Sequence, residues 1–211
     1  MKSVIFSVFL LFLFMLPIIL AEKDICYTCD AVNSETCEHK EEECPEGSEC
    51  MIISEEFISL GQTCRSISKR CALNLPCNRT FWGNVGLDVF VKVSQQCCKG
   101  PRCNPGFFQV PDIPTQAKGI LCPSCYAFNT TEDCTATGST ICLGKDDQCI
   151  RFRGAMKLPC GGEVDFSAQG CSSKSFCDYG YSELIGLQIT KKHESKCYVP
   201  EASPPSINLP K

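Results

Sequence analysis

The chain has 211 residues, 20 of them cysteine, and carries 20 basic against 24 acidic side chains, a formal net charge of −4 at pH 7. That balance leaves no basic stripe for nucleic acid or heparin. With 2 histidines there is little general base for catalysis, and cysteine at this density points to an oxidising compartment.

The first 21 residues read as a signal peptide. Lys2 is the charged start, Val4 to Leu20 is an apolar run broken by Ser7 and Pro17, and Ala21 is a small residue suited to cleavage. A signal anchor is the alternative, since the run approaches transmembrane length; Pro17 and Ala21 favour removal. Loss of Lys2 takes the formal charge from −4 to −5. All 20 cysteines follow this segment, about one residue in ten, the composition of a secreted disulfide scaffold.

From Glu22 the cysteines fall into two series. The first is Cys26, Cys29, Cys37, Cys44, Cys50, Cys71, Cys77, Cys97, Cys98 and Cys103; the second is Cys122, Cys125, Cys134, Cys142, Cys149, Cys171, Cys177 and Cys197. Spacings over the first five cysteines are 3, 8, 7, 6 in one series and 3, 9, 8, 7 in the other. Later gaps of 6 and 20 recur identically in both. Such a match marks an internal repeat, so the chain divides into a module at 22–104, a connector at 105–121, a module at 122–198 and a tail at 199–211. Each module is too small for a large core and depends on bridges.

Within module one, Glu41-Glu42-Glu43 and Glu55-Glu56 read as solvated loop faces. Leu87 to Val93 alternates as a half-buried strand, with Leu87, Val89, Val91 and Val93 on one face and Asp88 and Lys92 on the other. Asn78-Arg79-Thr80 is an acceptor sequence for an N-glycan. Phe81-Trp82 lies toward the tip of a hairpin, either packed on its neighbour or presented to a partner. The module ends in Cys97-Cys98-Lys99-Gly100-Pro101-Arg102-Cys103-Asn104. Adjacent cysteines cannot easily bridge each other; Cys98 can close a short ring with Cys103 across the Gly100-Pro101 turn, and Asn104 can bond neighbouring backbone.

The connector carries Phe107, Phe108, Val110, Pro111, Ile113 and Pro114. A plain linker is polar and Gly/Ser-rich, whereas this one is proline-stiffened and apolar. Its side chains either pack the two modules together or offer an apolar anchor to a partner, and the two roles are compatible. Module two repeats the plan without the terminal doublet and ring. Leu184 to Ile189 is a weaker counterpart of the Leu87 strand, and Asn129-Thr130-Thr131 is a second glycan acceptor. The tail holds no apolar stretch after a small-residue site, which argues against a glycolipid anchor. Almost no helix is expected.

Cys64 and Cys160 stand outside both series. They can pair across the modules, between chains, or stay free and buried; a bridge across the modules is favoured. Cys26-x-x-Cys29 and Cys122-x-x-Cys125 need thiolates to act as redox or zinc pairs, and secretion turns them into structural bridges instead. No metal, cofactor or catalytic constellation is expected, so the chain reads as a non-enzyme.

The doublet, short ring and following Asn resemble the C-terminal signature of the three-finger superfamily that includes lymphocyte antigen-six proteins and the urokinase receptor. That resemblance implies an all-β, disulfide-rich fold of two tandem three-finger domains. It also implies the pairing Cys26–Cys50, Cys29–Cys37, Cys44–Cys71, Cys77–Cys97 and Cys98–Cys103, then Cys122–Cys149, Cys125–Cys134, Cys142–Cys171 and Cys177–Cys197. Fingers fall at about 30–43, 51–70, 78–96, 126–141, 150–170 and 178–196.

The two-module layout, the missing terminal bridge in module two and the apolar connector are similar to gamma-type phospholipase A2 inhibitors. That similarity implies a secreted, extracellular inhibitor that binds phospholipase A2 stoichiometrically, with the connector as contact and homo- or hetero-oligomers as an assembly. The second reading is a secreted signalling or recognition module that binds a receptor or another extracellular ligand through its finger loops, with Phe81-Trp82 as anchor.

Overall fold

The computed structural model describes residues 24–85, 88–110, 112, 120–144, 147–179 and 184–200. The signal-peptide reading of residues 1–21, Leu87 and most of the tail fall outside them.

Hairpins dominate because apolar residues alternate between turns built for reversal. In module one the strands are β1 (Ile25–Ala31), β2 (Lys40–Glu43), β3 (Glu49–Ser59), β4 (Gln62–Ala72), β5 (Arg79–Val85) and β6 (Val89–Cys98). Module two holds β7 (Leu121–Phe128), β8 (Gly138–Ile141), β9 (Gln148–Lys157), β10 (Glu163–Ser172) and β11 (Gln188–Tyr198). Alternation in β6 sends Val89, Val91 and Val93 inward, while Asp88 before it is exposed. The one described helix, Lys174–Tyr179, is capped by Ser173, whose Oγ accepts the Phe176 N–H at 3.2 Å.

Ten disulfides staple the fold. The structure joins Cys26 to Cys50, Cys29 to Cys37, Cys44 to Cys71, Cys77 to Cys97 and Cys98 to Cys103 in module one. Module two has Cys122 bonded to Cys149, Cys125 to Cys134, Cys142 to Cys171 and Cys177 to Cys197. Cys64 bonds Cys160, tying finger two of one module to finger two of the other, with their Cα atoms 5.6 Å apart.

The modules are not beads on a string. One antiparallel sheet runs β11-β9-β10-β5-β6-β3-β4-β1-β2, with the junction where Cys171 faces Asn84 and Ser172 faces Gly83. Gly170 makes the close approach possible, since a Cβ there would collide with the Asn84 carbonyl oxygen. A single apolar core spans the junction: Met51, Ile53, Phe57, Phe81 and Val93 from module one meet Ile150, Phe152, Met156, Phe166 and Phe176 from module two. Two modules too small for separate large cores thus share one, so burial across the junction adds to what the bridges supply.

Module two departs from the expected plan in its third finger. Leu184 to Leu187 is not a strand, and β11 begins only at Gln188. The N–H groups of Ile185, Gly186 and Leu187 are turned instead onto a side chain of module one. A ladder cannot use donors already committed elsewhere.

Candidate interaction surface

The described half of the connector lies on the outer face of module one, along β3. Gly106 packs on Ile52, where a Cβ would come within 3.0 Å of the Ile52 side chain. The Gln109 N–H donates to Ser54 Oγ at 3.0 Å, and Lys69 Nζ donates to the Pro105 carbonyl at 3.0 Å. Phe108 is half-buried under the Arg65 guanidinium, 5.7 Å from its ring centroid, and Arg65 is itself held by Glu56 and Glu35. Val110 is half-buried as well.

Phe107 points the other way and is 83% exposed, the highest value among the described large apolar residues. So the segment divides its aromatics: Phe108 fastens it to the sheet and Phe107 projects from it. Pro111, Ile113 and Pro114 lie outside the described residues. Composition leaves two roles open for these side chains. In its described part the segment makes its hydrogen bonds to module one, and module packing is supplied by the shared core.

Phe81-Trp82 is not a fingertip. Phe81 is fully buried in the shared core. The Trp82 N–H donates to Ser173 Oγ at 3.0 Å, its carbonyl accepts the Ser173 N–H at 2.8 Å, and its ring lies against Gly144. The pair therefore sits at the module junction, where β5 and the start of the helix meet.

That junction carries a group whose sequence context suggests a solvated loop face. Glu55, in β3, is instead completely buried. Its carboxylate accepts the N–H groups of Ile185 at 2.6 Å, Gly186 at 3.1 Å and Leu187 at 2.7 Å. Burial pushes the Glu55 carboxyl above its ordinary range, while the three backbone donors pull toward the ionised form. Gly186 has no room for a side chain: a Cβ would meet Ser66 Oγ and lie 2.7 Å from Pro159. The signal for Glu55 is its place at an inward position of a strand whose odd residues Met51, Ile53 and Phe57 are all buried. A pair of adjacent acids hid it, because Glu56 points out to Arg65 and Lys92.

Both glycan acceptors are exposed. Asn78 (φ 52°) and Asn129 (φ 60°) occupy left-handed turn positions, and Asn78 Oδ1 accepts the Cys97 N–H at 3.2 Å. The sulfur clusters at Cys26, Cys44 and Cys71, and at Cys122, Cys142 and Cys171, have the compactness of metal centres, but each sulfur is in a disulfide and offers no thiolate.

The family model of the u-PAR/Ly-6 domain matches residues 24–106 and again 118–201. The chain belongs to the u-PAR/Ly-6 domain family. It is a two-domain member, all-β and disulfide-rich, and its relatives share that scale. The phospholipase A2 inhibitor 31 kDa subunit of Naja kaouthia is 28% identical over 70% of this chain and 78% of its own length. Phospholipase A2 inhibitor 1 of Protobothrops flavoviridis is 29% identical over 82% of each chain. A phospholipase A2 inhibitor gamma subunit of Laticauda semifasciata is 27% identical over 71% of this chain and 80% of its own. No helix among the described residues is long and apolar enough to cross a membrane.

Proposed function

We propose that this u-PAR/Ly-6 protein is a secreted phospholipase A2 inhibitor that binds the enzyme stoichiometrically and blocks its access to aggregated lipid. Phe107 is the projecting anchor, Phe108 and Val110 fasten the segment beneath it, and Pro111, Ile113 and Pro114 are further candidate contacts by sequence. The observation that carries this reading is the 83% exposure of Phe107 on a segment pinned to a disulfide-stapled sheet. An exposed aromatic on a rigid support binds at low entropic cost, the property of an interface hot spot.

Relatives named phospholipase A2 inhibitor support the choice of target. Cysteines paired throughout the fold and glycan acceptors at Asn78 and Asn129 support secretion into an extracellular fluid. The protein acts by contact, without a reaction of its own, and its assembly into homo- or hetero-oligomers follows the pattern of the resemblance.

The test is titration of a purified secreted phospholipase A2 with the glycosylated protein, reading hydrolysis of phospholipid vesicles. Inhibition saturates at a fixed molar ratio, and Phe107→Ser raises Kd by about tenfold, the loss of one buried aromatic contact. Hydrolysis untouched by excess protein overturns the reading.

A further inference from the structure

The outer rims of the two modules are guarded differently. β2 and β8 are matching strands, paired on one side only, to β1 and to β7. β2 reads Lys40-Glu41-Glu42-Glu43, every residue exposed, and charge of this kind on a sheet edge keeps other strands away. β8 reads Gly138-Ser139-Thr140-Ile141. No residue from Gly138 to Cys142, or from Ile120 to Phe128 through β7, is charged. An uncharged edge ending in two β-branched residues is a template for a further strand.

Which backbone groups are open follows from the register. The Cys142 N–H donates to the Ile120 carbonyl at 3.0 Å, one step beyond the opposed pair Leu121 and Ile141. Bonded and unbonded pairs alternate along an antiparallel ladder, so Cys122 and Thr140 bond each other, as do Ser124 and Gly138. Leu121 and Ile141 do not, nor do Pro123 and Ser139, and a proline without an N–H suits that position. The N–H and C=O groups of Ser139 and Ile141 therefore point away from β7, and no described residue bonds them. Ile141 is 50% exposed and Leu121, opposite it, 60%. A Cβ on Gly138 would meet nothing within 4 Å, so that end of the strand is open as well.

We propose that β8 is the seat of a two-fold dimer, in which it pairs antiparallel with β8 of a second copy about Thr140. Ser139 then lies opposite Ile141 of the second copy, and the outward groups of the two such pairs close four hydrogen bonds. The charges select a second copy as the occupant. The same operation on β2 sets Glu41 against Glu43 and Glu42 against itself, whereas on β8 no like charges meet. The edge is self-complementary, as a two-fold interface must be, and the exposed Leu121 and Ile141 of both copies join on one face. Bridges Cys122–Cys149 and Cys142–Cys171 hold the hairpin, so the edge is formed before the second copy arrives. Asn129, the glycan acceptor of this module, lies past the far end of β7, roughly 17 Å from Ser124 along the strand. The inference goes beyond the inhibitor reading and does not depend on its target.

Sedimentation velocity on the glycosylated protein, with no phospholipase present, tests it. The wild type shifts from the mass of one chain to that of two as its concentration rises through the micromolar range. Ile141→Glu rebuilds the acidic guard of β2, and Ser139→Pro removes an outward N–H; each raises the dimer Kd by about tenfold or more. Ile141 is exposed, so Ile141→Glu changes Tm at dilution by no more than about 2 °C, which separates lost pairing from lost folding. Mixing Ser139→Lys chains with Ile141→Glu chains restores association, because the opposite charges then face each other. A wild type that keeps the mass of one chain overturns the inference, and so does a dimer untouched by Ile141→Glu and Ser139→Pro. Association that weakens with salt overturns it too, since opposite charges then hold the copies, as between the acidic β2 edge and Lys191-Lys192 on β11. A dimer that appears only once residues 201–211 are removed means that the chain's own tail covers β8, and likewise overturns it.

Discussion

At the base of module one, Asn104 is buried and its carboxamide joins three backbone groups: it accepts the Tyr27 N–H at 2.9 Å and donates to the carbonyls of Tyr27 at 2.9 Å and Met51 at 3.2 Å. The ring before it adds the Arg102 N–H to the Ile25 carbonyl at 2.5 Å, and the Arg102 guanidinium to both oxygens of Glu41 at 2.7 Å. At the matching place in module two there is no ring and no asparagine, and the positions that would receive them have changed together. Tyr27 is replaced by Pro123, which has no N–H to satisfy; Glu41 is replaced by Ser139, and Glu43 by Ile141. Leu121 and Ile141, directly opposite each other, are left exposed. Module one closes on itself, while module two lacks its own cap and a full third finger and leans on its neighbour through β5, the shared core and Glu55. The lesson is that a missing bridge is compensated by removing the groups that needed it and by taking support from the adjoining sheet.

Cutting the support that module two takes from its neighbour should have the largest effect. Glu55→Ala leaves the N–H groups of Ile185, Gly186 and Leu187 buried without an acceptor. At about 1–3 kcal/mol for each such group the cost sums to about 3–9 kcal/mol, and relief of the carboxylate's own burial brings the net loss to about 3–6 kcal/mol. Denaturant unfolding with the disulfides intact measures the total, and amide exchange at residues 185–187 locates it. Exchange there as slow as in the wild type would show that module two is not held by this carboxylate.

Next is the device by which module one holds itself. Asn104→Ala strands the Tyr27 N–H and two carbonyls, costing about 2–4 kcal/mol, and the damage should stay in module one. If protection of β7 and β9 amides falls as much as that of β1 and β3, the contrast between the modules is wrong.

How much of this was legible in the residues follows from what each feature depends on. Cysteine spacing is a linear property, so the repeat and the two-module layout could be read directly, while the all-β class followed from the family resemblance of the doublet, ring and asparagine. The role of Asn104 was legible too, because its position after the last cysteine restricts what it can reach. Glu55 was not, since a carboxylate beside another carboxylate looks solvated until the strand phase is known. Nor was the junction: Gly170, Trp82 and Ser173 signal nothing in isolation, and the Leu184–Leu187 run reads as a strand until a buried acceptor from 130 residues away takes its donors. Side-chain demands across the repeat decide such contacts, and a single module's pattern does not contain them.

A milder cut separates the ring from the asparagine it positions. Replacing Cys98 and Cys103 together by Ser opens a five-residue loop, worth about 2 kcal/mol in the chain-entropy model. Asn104 keeps its bonds, so this loss should be smaller than that of Asn104→Ala; the reverse order would make the ring, not the amide, the main closure of the base.

In module two the matching change should be slight. Pro123→Ala restores an N–H that meets no asparagine, but the base there is partly open and water can take it. The expected loss is about 0.5–1 kcal/mol, chiefly from the freer unfolded chain. A loss approaching that of Asn104→Ala would mean that Pro123 is structural in its own right.

The last contrast is one of pH. The Arg102 guanidinium, bonded to Glu41, holds that carboxyl below its ordinary value, whereas Ser139 at the matching position does not titrate. A depressed carboxyl contributes stability that is fully present above its unfolded pKa and disappears as pH falls through the folded one. Wild type should therefore exceed Glu41→Gln by a constant amount at neutral pH, and the two unfolding midpoints should converge as acid protonates Glu41. Both side chains lie on the surface, so the difference is small and shrinks with salt. Midpoints that stay parallel into the acid range would mean that the ring is seated by Asn104 and the disulfide alone, and that Glu41 merely follows Arg102.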